Sequence, residues 1–188
     1  MSRIQPVDPA RATEPVVSLL AAVERNLGGV PNFIRVLAHS PAALQAFLGL
    51  HGIAGDGSLE PLTRERIALA VAEQNGCEYC VSAHTAIGRK VGLDSAEMLA
   101  NRQGASADAR AAAALAFAGA LVANMGEVTT AEVEAVRAAG YDDAQIVEII
   151  AHVALNIFTN LLGIFTNLLG KAARIDIDFP RVALREAA

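Results

Sequence analysis

Residues 62–84 read Leu62-Thr-Arg-Glu65-Arg-Ile-Ala-Leu-Ala-Val-Ala-Glu73-Gln-Asn-Gly76-Cys77-Glu-Tyr79-Cys80-Val-Ser-Ala-His84. The first half is alanine-rich and lacks β-branched runs, which predicts a helix from about Thr63 to Asn75. Gly76 interrupts it, and a second helix is expected from Cys77 to Val91, with Gly92 behind it. Within that second helix Cys77-x-x-Cys80-x-x-x-His84 carries the reactive side chains. At about 100° per residue, Cys80 lies roughly 300° and His84 roughly 340° from Cys77, so both thiols and the imidazole share one narrow face.

Working outward, the punctuation stays helical. Thr13 and Pro15 open a helix that Gly28-Gly29 stops, Pro31 opens a short one through Ala38, and Ser40-Pro41 starts one running to about Ala54. Asp94 with Glu97, Thr129 with Glu132 and Asp142 with Gln145 have capping-box spacing. An alanine-rich helix from Asp108 to Met125 lies between the first two, and the last long helix is expected from Asp142 to Arg174. With 39 alanines and no period-2 alternation, the fold class is all-α. No linker or shift in composition divides residues 1–188; residues 1–14 read as an N-terminal extension and 175–188 as a C-terminal tail of one domain.

Composition narrows the function classes. The chain has 188 residues, of which 53% are apolar and 19% charged, with 15 basic against 20 acidic side chains and a net charge of −5. Counting glycine and leaving out tyrosine raises the apolar share to roughly 60% against a usual 45–50%. Such a surplus asks for a subunit interface or a membrane. No basic cluster exceeds two adjacent residues, so nucleic-acid binding lacks its electrostatic footprint. The uncharged stretch Ile149–Gly170 is long enough to span a bilayer. However, His152, Asn156, Thr159, Asn160, Thr166 and Asn167 gather in an arc of roughly 120°, which suits a packed core or interface helix and no membrane span. The amino terminus holds no apolar run of signal-peptide length, so a cytoplasmic location is expected.

That stretch contains an oddity: Ile157-Phe-Thr-Asn-Leu-Leu-Gly163 is repeated at once as Ile164-Phe-Thr-Asn-Leu-Leu-Gly170. Seven residues turn a helix by about 700°, so the insertion lengthens it by about 10 Å while nearly preserving its faces.

Cysteines three apart reach disulfide distance with modest adjustment. A histidine one turn beyond Cys80 can take or share its proton, and the first turn of a helix favours a thiolate at Cys77. One thiolate attacking an O–O bond, a group handling protons and a second thiol resolving the sulfenic acid constitute a peroxide-reducing dithiol. Two alternatives use the same residues. The cysteines can be small core hydrophobes, or they can ligate zinc with His84 and one of His39, His51 and His152, although a second Cys/His pair is absent. Glu73 reads as a solvated or capping carboxylate, His39 and His51 as structural or surface groups near helix ends, His152 as a hydrogen-bonded core histidine, and Tyr141 as a packing residue.

The run from Leu62 to His84 resembles the AhpD-like alkylhydroperoxidases of the carboxymuconolactone decarboxylase family, whose hallmark E-x(11)-C-x-x-C-x(3)-H is met by Glu65, Cys77, Cys80 and His84. Gly29-Val-Pro-Asn32, Ser40-Pro41, Ala46-Phe47, Asn156-Ile-Phe-Thr-Asn160 and Ile177-Asp-Phe-Pro180 resemble the peroxidase-related subgroup, so the likeness covers most of residues 15–180. The resemblance implies an AhpD-like helical bundle assembled as trimers or hexamers. It also implies Cys80 as the peroxidatic thiol with His84, Cys77 as the resolving thiol and Glu65 as a proton relay from the preceding helix. No cofactor is implied: a hydroperoxide is the substrate, and an external dithiol or redox protein is the reductant. On the choice of nucleophile the resemblance overrides the helix-dipole argument, because His84 lies one turn from Cys80. The chain departs from the family twice. Tyr79 stands where the best-studied peroxidases carry a second histidine, and a tyrosine is a poor base near neutral pH. The family spacing from Asn160 to Phe179-Pro180 is seven residues shorter, the length of the repeat.

Competing expectations keep the fold but change the role. A redox switch or oligomeric binding protein would oxidise once without cycling. A lactone decarboxylase would act without the cysteine pair.

Overall fold

A computed structural model describes residues 4–167 and 177–185. After a 3₁₀ turn at Pro9–Arg11, the chain forms α1 (Val16–Leu27), α2 (Asn32–Leu37), α3 (Pro41–Gly55), α4 (Pro61–Gln74), α5 (Glu78–Val91), α6 (Ser95–Asn101), α7 (Ala109–Ala123), α8 (Thr130–Ala138) and α9 (Asp143–Asn167), with no strand among the described residues. The all-α expectation holds. The expected end of the last helix, residues 168–174, and the end of the second heptad copy lie outside the described residues.

The central helix is α4, whose Thr63, Ile67 and Ala68 to Ala72 are all buried. It packs against α5, α6, α7 and α9, which explains its small side chains: alanines let several neighbours approach one axis. Ile67, Ala70 and Val71 join Leu115, Phe117, Val136, Ile149 and Val153 in the largest core cluster. A second cluster ties Leu20 and Val23 of α1, Ile34 and Leu37 of α2, and Leu44 and Phe47 of α3 to Leu155 of α9.

Two of the three expected capping boxes form reciprocally, at Thr129/Glu132 and Asp142/Gln145. The third does not. Asp94 accepts from the Glu97 N–H at 2.8 Å, but the Glu97 carboxylate turns away to Arg66, Asn101 and Ser106. A guanidinium 2.9 Å away and two further donors outbid one backbone N–H. Glu73 is likewise neither solvated nor a cap. It forms a 2.8 Å ion pair with Arg102, each side chain only 10% exposed, and also accepts from the Arg185 N–H at 2.7 Å.

That pair anchors the tail, residues 177–185, across the start of α5. Arg102 donates to the Ala183 carbonyl at 2.7 Å, the Val182 N–H donates to Ser82 Oγ at 2.9 Å, and Arg181 pairs with Glu78 at 2.5 Å. Ile177, Phe179, Val182 and Leu184 then pack on the small cluster formed by Ala72, Cys77, Tyr79, Cys80 and Val81.

Candidate active site

The turn between α4 and α5 sets the dithiol. Gly76 at φ 69° occupies the left-handed position. Its N–H bonds the Glu73 carbonyl at 3.0 Å, and the Cys77 N–H bonds Ala72 at 2.9 Å. This is the paired hydrogen-bond pattern that closes a helix on a glycine. The residue delivered by that closure, Cys77, is also the N-cap of α5, its Sγ accepting from the Cys80 N–H at 3.3 Å. One turn therefore ends α4, starts α5 and places the first sulfur at a helix N-terminus.

Cys77 and Cys80 are joined as a disulfide, with Cα atoms 5.3 Å apart. The two sulfurs face different surroundings. Cys77 is fully buried against Gly163 of α9. Cys80 lines a cavity of about 650 Å³.

Helical spacing brings the rest of the wall together. α5 supplies Cys80, Ala83, His84, Ile87 and Val91; α4 supplies Arg64, Glu65 and Ala68; α9 supplies His152, Asn156, Thr159 and Gly163. Three members of the polar arc read in the α9 sequence, His152, Asn156 and Thr159, line the cavity, whereas Asn160 is buried and accepts from the Asn75 side-chain amide at 2.9 Å. Although α9 is long and apolar enough by composition to cross a membrane, it is here a packed helix of the bundle.

Of the residues singled out, Glu65, Cys80 and His84 meet at the cavity, with Glu65 Oε2 2.8 Å from His84 Nδ1. Cys77 stands directly behind Cys80. A carboxylate on Nδ1 fixes the imidazole's tautomer and orientation, and His84 lines the same cavity as Cys80. Glu65 and His84 side chains are 16% and 22% exposed, enclosed yet reachable.

Tyr79 is turned away from this group. Its hydroxyl donates to Asp178 Oδ1 at 2.5 Å. Burial first, then the hydrogen bond and charge of Asp178, push its pKa far above the ordinary tyrosine value. Asp178 also accepts from the Asn32 N–H at 2.8 Å, linking the tail to α2. Phe33 and Phe179 meet the Tyr79 ring edge-on at 5.8 Å each, making an aromatic corner of the cavity together with Phe47.

The histidines separate. His39 is remote, its Nε2 2.7 Å from the Gln5 carbonyl. His152 is hydrogen-bonded to the Ala54 carbonyl at 3.2 Å, as a core histidine should be, and lines the cavity as well. His51, read as structural or surface, is exposed as a surface group should be, and also lines the cavity. Partial desolvation of the imidazole against that wall and then the charge of His84 lower its pKa. Arg64, Asp178 and Gly163 also escaped the sequence reading. The signal for His51 was its position one turn after Phe47 on a helix otherwise nearly free of polar residues.

Comparison with known proteins agrees with this geometry. Residues 41–123 match the carboxymuconolactone decarboxylase family. The solved structure described as an alkylhydroperoxidase AhpD core, an uncharacterized peroxidase-related protein from Ralstonia eutropha JMP134, is 30% identical over 94% of each chain, with a TM-score of 0.78. The debrominase Bmp8, solved in complex with 2,3,4-tribromopyrrole, shares the fold at 22% identity and a TM-score of 0.76, over 92% of this chain and 94% of its own. An uncharacterized protein of Cupriavidus necator is 50% identical over 46 residues, 24% of this chain. The match spans about two fifths of that curated relative's length (41%). Glu65, Cys77, Cys80 and His84 fall inside the family match, and the near-complete structural overlap carries the likeness across the rest of the chain: the protein belongs to the carboxymuconolactone decarboxylase family and has the AhpD-like fold.

Proposed function

We propose that this protein is a thiol-dependent peroxidase that reduces organic hydroperoxides to alcohols. The observation that carries the reading is the asymmetry of the dithiol: Cys80 opens onto an aromatic-walled cavity shared with the Glu65–His84 pair, while Cys77 is sealed behind it. His84 takes the Cys80 proton, held in orientation by Glu65. The thiolate attacks the distal peroxide oxygen, an S–O bond forms as the O–O bond breaks, and the alkoxide leaves to become the alcohol. The Cys77 thiol then displaces water from the sulfenic acid, giving the disulfide. An external dithiol or redox protein returns both thiols, as the reducing cytoplasm would allow. No cofactor enters.

The same reading makes the protein a homo-oligomer. Val147, Ile150, Phe158 and Leu161 of α9 are 64%, 43%, 38% and 63% exposed, an apolar stripe down one face. Exposed apolar patches of this kind mark association surfaces.

A second reading uses the same two electrons. A dithiol beside a cavity walled by Phe33, Phe47, Tyr79 and Phe179 can reduce a carbon–bromine bond of a flat ring to C–H and bromide, as the activity named for Bmp8 suggests.

The test is hydroperoxide consumption by the purified chain with dithiothreitol. Multiple turnovers are expected from the wild type, none from Cys80→Ser and a single one from Cys77→Ser. Wild-type turnover no better than Cys80→Ser with several peroxides would reject the peroxidase. Bromide release from a bromopyrrole under the same conditions would favour the second reading, and stoichiometric oxidation without cycling would favour a redox switch.

A further inference from the structure

A thiolate that cleaves an O–O bond expels an alkoxide, a strong base that needs a proton as it departs. Within the motif only the imidazolium that His84 becomes on taking the Cys80 proton can supply one. His84 is engaged by Glu65 on one nitrogen and, in the proposed reaction, carries the Cys80 proton on the other. Tyr79, between the cysteines, has its hydroxyl committed to Asp178. His152 is bound to the Ala54 carbonyl.

His51 remains. It enters from α3, outside the cysteine motif, and lines the same cavity as Cys80, His84 and Glu65. The Phe47 ring, one turn earlier, stands 5.5 Å from it at 42° and limits its orientation. Among the described residues no hydrogen bond ties either ring nitrogen to the protein. We infer that His51 is a second catalytic imidazole of this site, one that hydrogen-bonds the bound hydroperoxide and delivers the proton to the departing alkoxide.

The inference rests on the peroxidase reading, and its proton balance closes without another reactant. The Cys80 thiol proton passes to His84. As the S–O bond forms and the O–O bond breaks, His51 gives an N–H proton to the alkoxide and is restored on its other nitrogen by the His84 imidazolium, directly or through cavity water. Thiol plus hydroperoxide becomes sulfenic acid plus alcohol. The cavity that His51 lines carries several other titratable groups. Arg64 and Glu65 come from α4, His84 and Lys90 from α5, His152 from α9, and Asp56 from the loop after α3. Partial desolvation, His84 and Arg64 lower its pKa against the opposing pull of Glu65. His51 therefore rests neutral at pH 7, the form that can accept on one nitrogen while donating from the other.

The test oxidises Cys80 in a single turnover, in the full chain, with two oxidants. tert-Butyl hydroperoxide must release an alkoxide, whereas peracetic acid releases a carboxylate that needs no proton. In His51→Phe and His51→Ala the rate with the hydroperoxide should fall about 100-fold, while the peracid rate stays within about threefold of wild type. Added imidazole should restore hydroperoxide reduction by His51→Ala, and pyrazole, equal in shape but far less basic, should not. Equal losses with both oxidants would reduce His51 to a packing role and overturn the inference, as would no loss with either. A wild type no faster than free dithiothreitol-like thiols would overturn the peroxidase reading and this inference together. A reactive wild type with indifferent His51 variants would sink the inference alone.

Discussion

Gly163 is where a methyl group cannot be accommodated. A Cβ built there would lie 2.7 Å from Cys77 Sγ, closer than carbon and sulfur approach, and in ordinary contact with Cys80 Sγ at 3.5 Å. The glycine lets α9 close directly over the Cys77 sulfur, which does not line the cavity. Gly163→Ala should therefore displace Cys77, destabilise the fold by about 1–3 kcal/mol and slow disulfide closure after peroxide attack. Denaturant unfolding of the oxidised and reduced protein, alongside the rate of thiol loss, measures both effects; unchanged closure with unchanged stability would contradict the tight approach. At this scale Glu65, Cys77, Cys80 and His84 were legible, because three of them sit within two turns of one helix and the fourth on the helix joined to it. The Asp178–Tyr79 bond was not, since it joins residues 99 positions apart.

Among the elements, the loop between α3 and α4 depends on one side chain. Glu148 of α9 accepts from the Ser58 N–H at 3.0 Å, the Leu59 N–H at 2.8 Å and the Ser58 hydroxyl. Gly57 lies against it, its Cβ position 2.8 Å from the carboxylate. Next to the loop, the last two residues of α3 present the Ala54 and Gly55 carbonyls to Arg64. Glu148→Ala should cost about 2 kcal/mol, the scale of hydrogen bonds to a charged group, and should raise hydrogen exchange at Ser58 and Leu59. Exchange unchanged at those amides would show that the loop is held otherwise. The boundaries of α4 and α5 could be read from Pro61, Gly76 and Gly92, since turn chemistry is local. The fate of the Glu97 side chain could not, because a remote guanidinium competed with the local cap and won.

For the whole molecule, buried charges set the response to pH. Burial and then Arg64 hold the pKa of His152 below the ordinary histidine value, against the Ala54 carbonyl and two carboxylates. Below pH about 6.5 the unfolded chain binds a proton there that the folded chain refuses. Its folded state is therefore unpenalised above that pH and loses stability as pH falls through it. His152→Gln should flatten the melting-temperature slope between about pH 7 and 5; an identical slope would remove His152 as its source. Glu97 acts at lower pH. Burial raises its pKa, but hydrogen bonds from Ser106, Asn101, the Ala107 N–H and Arg66 outweigh that and hold it at about 2. Its contribution is complete above the unfolded carboxylate value of about 4.3 and disappears as pH falls toward 2. At the same scale, if α9 carries the proposed subunit contact, Phe158→Asp with Leu161→Asp should lower the mass measured by light scattering, and a monomeric wild type would contradict that proposal.

What could be known from the chain alone was whatever a helix encodes within a few turns. That includes helical class, the starts and stops at proline and glycine, the shared face of Cys80 and His84, and the polar arc of α9. These follow from 3.6 residues per turn and from local backbone preferences. Folding decided which thiol meets the cavity: Cys80 lines it, while Cys77 is buried against α9 at Gly163. It also brought His51, His152 and Arg64 from three helices to one cavity and drew the tail across Tyr79. Such juxtapositions depend on how helices cross, a property of packed surfaces distant in sequence, and no local period encodes it.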